Sequence, residues 1–154
     1  MPTGSKPAWQ RVAGPLYVDT SALLKLYFPE SDSSTVNELL RGRRDAVISQ
    51  LAITEMVSAL ARRCRQGALE PDAAVEAHAA LLSHIESGVF RCDDLFSDTH
   101  REAERILFGA ATASLRAADA LHLAVARGAG VTTVLTFDVR MAEVARSIGF
   151  VTIP

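Results

Sequence analysis

Short apolar runs punctuate this chain, and between them hydrophobic positions recur every three or four residues. Residues 16–19 (LYVD) read as a first strand, followed at once by a helix from Thr20 or Ser21 to about Tyr27, which Pro29 stops. Ser31 or Asp32 is placed to cap a second helix carrying Val36, Leu39 and Leu40. Residues 46–49 (AVIS) predict a second strand. A third helix, from about residue 52 to 66 and ended by Gly67, carries the stripe Ile53, Met56, Val57, Leu60, Ala61 and Cys64. Pro71 opens a fourth, with Val75, Ala79, Leu82 and Ile85 as its expected buried side. A weak strand at 90–92 precedes helices at about 97–107 and 116–127. Residues 132–136, rich in β-branched side chains, form the clearest strand, and a helix over 139–147 leads to a last strand at 150–153. Strands alternating with helices predict a parallel sheet covered on both faces, a three-layer α/β/α sandwich.

At 154 residues the chain is one domain, long enough to bury a core without staples. Hydrophobic content of 49% against 22% charged residues is that of a soluble globular protein. A formal charge of −2 excludes a uniformly basic surface for nucleic acid, though acids gathered at one site would mask local basic patches. Cys64 and Cys92 form no C-x-x-C pattern and read as reduced, buried thiols of a cytoplasmic protein. No run approaches the length of a membrane span, and no apolar region of a signal peptide opens the chain. Residues 1–14 read as a flexible tail and 15–154 as the folded domain.

Four acids change the picture. Asp19 and Asp138 end strand-like runs, while Glu55 and Asp119 lie in helical segments. Ligands of parallel sheets gather at the carboxyl ends of strands, which brings Asp19 and Asp138 to one rim. Glu55 has small Ala52 and Ala59 on its own helical face, leaving room for a ligand. Two carboxylates about 5 Å apart repel by roughly 3 kcal/mol at an effective dielectric of ~20, so a cluster calls for a cation. Oxygen donors without His or Cys select Mg²⁺ or Mn²⁺ over zinc, and such ions suit phosphodiester hydrolysis by activated water. The alternative is local: Asp19 and Asp138 as helix caps, and Asp119 as a first-turn acid favouring the helix dipole. Spacing alone leaves both readings open.

At these residues the chain resembles PIN-domain ribonucleases, and more narrowly the VapC-type toxins of toxin–antitoxin pairs. The resemblance spans about residues 15–153. It rests on LYVDTSALLKLYFPE, SQLAITEMVSALAR, LRAADALHLAVA and VLTFDVRMAEVARSIG, each degenerate but specific in this order and spacing. It implies a Mg²⁺- or Mn²⁺-dependent endoribonuclease with Asp19, Glu55, Asp119 and Asp138 as its acidic positions, Asp138 acting through water. It also implies that Thr20, Ser21 and Thr136 support the carboxylates. As partners it implies an RNA substrate, a VapB-like antitoxin lying along the first helices and helix three, and a second copy in a homodimer; no membrane is involved. The apolar run Leu23, Leu24, Leu26, Tyr27 and Phe28 fits either an antitoxin contact or the core. Arg116 fits either an RNA phosphate contact or a partner for an acid. His122 reads as a structural histidine before a ligand, and Arg62, Arg63, Arg65 and Arg140 as solvated helix charge before phosphate contacts. The competing function is a non-catalytic PIN-type RNA-binding or regulatory module, against which the complete acid quartet speaks. An aspartyl-phosphate enzyme would need a second Asp where the chain has Ser21.

Overall fold

In the computed structural model, which describes residues 12–154, five strands form one parallel sheet. The elements run β1 (Leu16–Val18), α1 (Thr20–Tyr27), α2 (Ser33–Leu40), β2 (Ala46–Ser49), α3 (Gln50–Arg65), α4 (Pro71–Glu86), β3 (Phe90–Asp93), α5 (Ser97–Gly109), α6 (Ala117–Gly128), β4 (Thr133–Leu135), α7 (Val139–Ser147) and β5 (Val151–Ile153). The order across the sheet is β3-β2-β1-β4-β5. Chain order therefore reverses between β1 and β4, and that switch point opens a crevice beyond their carboxyl ends.

Alternation along the strands divides the interior in two. Leu16, Val18 and Ile48 face a core shared with Ala22 and Leu23 of α1, Val36 of α2, Met56 of α3 and Leu81 of α4. Tyr17, Val47 and Val134 face the opposite way, into a core with Ile106 of α5, Leu123 of α6 and Met141 of α7. Helices α1–α4 thus cover one face and α5–α7 the other, giving the expected three layers. Arg43 braces the start of β1 by donating to the carbonyls of Val12 and Gly14 while pairing with Asp45. Most of the 1–14 stretch read as a tail falls outside the described residues.

Two helical faces differ from the sequence expectation. In α4 the buried residue is Leu81, with Ala74, Ala77 and Ile85 packed beside it, whereas Val75 is 69% exposed and Leu82 39% exposed. Asp72, Glu76, Ser83 and Glu86 share one exposed face of the helix, and the face opposite them, not the stripe through Val75, Ala79 and Leu82, packs on α3 and β3; Ala79 is exposed as well. In α3 the line Ala52, Met56 and Leu60 is buried, but Val57 is half-exposed and Ala61 exposed. Ser49 caps α3 by accepting from the Ala52 amide, which starts the helix two residues early. Asp32 stands at the α2 N-cap without a side-chain cap bond, in the left-handed region at φ 68°. Leu23 is fully buried, while Leu24, Leu26, Tyr27 and Phe28 pack partly buried against the core. Both cysteines are free, and they are half-buried rather than buried. No helix among the described residues is long and apolar enough to cross a membrane.

The rotation of α4 is testable by chemical denaturation. Leu81→Ala is expected to cost about 2–5 kcal/mol, whereas Val75→Ala should stay within about 0.5 kcal/mol of the parent. Equal losses would place Val75 in the core.

Candidate active site

Asp19 follows β1 directly and sits at the switch point, 4% exposed. Its Oδ1 accepts from the Ala22 amide at 3.0 Å, capping α1, and from Ser21 Oγ at 2.7 Å. Its Oδ2 accepts from Thr136 Oγ1, which follows β4, at 2.6 Å. Thr136 Oγ1 in turn accepts from the Asp138 amide, and Ser21 Oγ accepts from the Phe137 amide. The two strand ends on either side of the crevice are thereby stitched together through side chains. Asp138 caps α7 by accepting from the Met141 amide at 3.0 Å. Asp119, in the first turn of α6, accepts from the Arg116 amide at 3.2 Å. Capping and clustering are therefore not alternatives here: all three aspartates hold a helix start and line the same cleft.

Glu55 reaches that cleft from α3. Its Oε2 accepts from Thr20 Oγ1 and lies 2.6 Å from His122 Nε2. The cleft, about 390 Å³, is lined by all four acids together with Thr20, Ser21, Arg62, Arg116 and His122. Thr136 lies beneath Asp19 rather than in the wall. A larger hollow of about 1040 Å³ between β3, α5 and α6 is also charged; there Glu102 pairs with Arg105 and Arg127, and Asp93 with Arg91.

The carboxylates do not titrate alike. Burial pushes the Asp19 carboxyl above its usual range, despite three hydrogen bonds that pull the other way. Asp119 is also raised, first by burial and then by the charge of Asp138, against the Arg116 amide bond. For Glu55 burial acts upward too, but the His122 and Thr20 hydrogen bonds, with the charge of Arg116, outweigh it and hold the group low. Among the described residues no donor meets Glu55 Oε1, Asp119 Oδ1 or Asp138 Oδ2, and no buried side-chain oxygen is left without a partner. Those three oxygens are therefore open to solvent on the cleft wall.

His122 is the satisfied, buried histidine that the sequence suggested, while nothing in the sequence pointed to the parts played by Tyr17 and Ser49. His122 is 2% exposed and bonded on both ring nitrogens, Nδ1 lying 2.6 Å from the Tyr17 hydroxyl. The three-residue step from Asp119 to His122 was its one visible signal. Tyr17 and Ser49 carried none, because their partners are distant in sequence.

Residues 16–147 match the family model of the PIN domain. The chain belongs to the PIN-domain family. Among its relatives is the ribonuclease VapC46 of Mycobacterium tuberculosis, 31% identical over 140 residues that span 90% of this chain and 95% of that protein. The PIN fold also superposes on VapC20 of Mycobacterium tuberculosis, described as a sarcin–ricin-loop-cleaving toxin, with a TM-score of 0.70 and 26% identity over 88% of this chain and 96% of that one. DNA-bound VapBC of Salmonella typhimurium shares the fold at a TM-score of 0.60 and 17% identity, covering 92% of this chain and 98% of that chain.

The raised Asp119 carboxyl has a measurable consequence without divalent cations. An acid whose folded pKa exceeds its unfolded value of 3.8 binds more protons when folded, so stability falls as pH rises through that window. Asp119→Asn, which keeps an acceptor for the Arg116 amide, should therefore melt a few degrees above the parent at pH 7 in EDTA. The gain should vanish as pH falls below 3.8, where the carboxyl is protonated in both states.

Proposed function

We propose that this PIN domain is a Mg²⁺- or Mn²⁺-dependent endoribonuclease and the toxin of a toxin–antitoxin pair. The observation that carries the reading is the convergence of four carboxylates on one switch-point cleft, three of them with an oxygen that no donor among the described residues occupies. Among the described residues no three Asp, Glu, His or Cys side chains lie close enough to enclose an ion by themselves. That suits a cation which keeps several of its waters and takes one or two carboxylates directly. The all-oxygen donor set fits Mg²⁺ or Mn²⁺ and not zinc. When bound, such an ion neutralises the cluster and supplies Lewis acidity for hydrolysis of a phosphodiester.

The chain's own groups divide the remaining work. Asp19, fixed by Ser21, Thr136 and the Ala22 amide, is the rigid anchor. Glu55 and Asp119 bring charge from α3 and α6, and Asp138, at the start of α7, would hold the ion through one of its waters. The exposed Arg116 and Arg62 line the cleft and supply positive charge for the RNA backbone. The likeness to VapC46 and VapC20 supports RNA as substrate and growth arrest through translation as the outcome. The reading includes a VapB-like antitoxin as regulator, in keeping with the fold shared with DNA-bound VapBC, with a homodimer as the assembly and the cytoplasm as the setting.

Purified protein should cut RNA with Mn²⁺ or Mg²⁺ and stop in EDTA. Asp19→Asn, which retains the α1 cap acceptor, should abolish cleavage with an unchanged circular dichroism spectrum. Asp138→Asn should slow it by roughly 10- to 100-fold, as for a group supporting a metal from outside its direct ligands. Unchanged cleavage by Asp19→Asn would falsify the assignment, and metal-dependent RNA binding without any product would favour the non-catalytic module. Mapping cleavage sites in total RNA after brief induction identifies the target, and induced Asp19→Asn should leave growth normal.

A further inference from the structure

Behind Glu55 runs a line of buried polar groups. Ser49 Oγ, at the N-cap of α3, lies 2.9 Å from the Tyr17 hydroxyl on β1. That hydroxyl lies 2.6 Å from His122 Nδ1 on α6, and His122 Nε2 lies 2.6 Å from Glu55 Oε2, back on α3. The line thus leaves α3 at its cap, crosses the central strand and α6, and returns to α3 at Glu55. Tyr17 and Ser49 are fully buried and His122 nearly so. Hydrophobic side chains would fill the same space without the cost of desolvating three polar groups. Here each polar group is satisfied by the next, which makes the line a closed unit.

Chemistry gives the line a direction at its functional end. A Glu55 carboxylate only accepts, so His122 Nε2 carries the proton between them. The Tyr17 and Ser49 hydroxyls can donate or accept and adapt to Nδ1. With both ring nitrogens engaged, the imidazole cannot turn, and Oε2 of Glu55 is held by His122 on one side and Thr20 on the other. Oε1 is the oxygen left over.

We propose that Ser49, Tyr17 and His122 are positioning residues that fix Glu55 Oε2 and so present Oε1 to the divalent cation. The proposal rests on the reading of Glu55 as a cation ligand given above. Hydrogen-bonded partners of this kind typically change metal affinity 10- to 100-fold.

Titration with Mn²⁺ alone at one fixed pH, with free Mn²⁺ read by electron paramagnetic resonance, tests it. Tyr17→Phe removes one buried oxygen and keeps the ring, so it tests the line even if His122→Leu fails to fold. It should weaken Mn²⁺ binding about tenfold. Glu55→Gln should weaken binding too, and adding Tyr17→Phe to Glu55→Gln should cost nothing more, because the line then has no carboxylate to hold. A tyrosine that only fills the core would produce the same loss in both backgrounds, and that result overturns the proposal. Parent-like affinity in Tyr17→Phe, with Glu55→Gln weakened, also overturns it while leaving the site reading intact. A parent protein that binds no Mn²⁺ sinks both.

Discussion

Burial of the Asp19 carboxylate is the constraint on which the rest of the site depends. A charged group at the end of the central strand is tolerable only if its oxygens are met, and the protein meets them from three directions. The Ala22 amide begins α1, Ser21 locks the turn, and Thr136 arrives from the neighbouring strand end. Each bond that lowers the cost of burial also fixes a piece of backbone. Thr136 passes the order on to Asp138 and Ser21 to Phe137, so the start of α7 is registered against the start of α1. Removing the Thr136 hydroxyl would therefore disturb two acids at once.

The same economy explains why the sandwich holds acids from both layers. α1 and α3 lie on one face of the sheet and α6 and α7 on the other, each layer with its own core. Glu55 comes from the first layer, Asp119 and Asp138 from the second. His122 contacts Glu55 across that divide, with Tyr17 of the central strand behind it. The side-chain bonds beneath the acids hold the two layers together at the rim.

Much of this was legible in the order of residues. An acid that ends a short apolar run and precedes a helix both caps the helix and marks a strand terminus, so Asp19 and Asp138 announced their places. Element boundaries followed from Pro29, Pro71, Gly67 and the β-branched run before Thr136. The rotation of α4 is carried by its polar residues: Asp72, Glu76, Ser83 and Glu86 share the face opposite Leu81, and the stripe Val75, Ala79 and Leu82 runs beside the buried side rather than along it. The Ser49–Tyr17–His122 line was not legible, because its contacts join residues 32 and 105 positions apart. The sequence of Tyr17 and its neighbours shows only a good strand, and what makes its hydroxyl useful is supplied by α6 after folding.

Parallel strands give the molecule two unlike ends. The described chain comes in at the amino rim, where Arg43 grips Val12 and Gly14. It leaves at the carboxyl rim, where the Ile153 carbonyl accepts from the Thr136 amide, one residue from Phe137 and two from Asp138. A polyhistidine tag joined after Pro154 would begin beside a cluster of carboxylates and could contribute imidazoles to the very ions under study. The other end of the described chain, at Val12, lies on the opposite side of the sheet from those carboxylates.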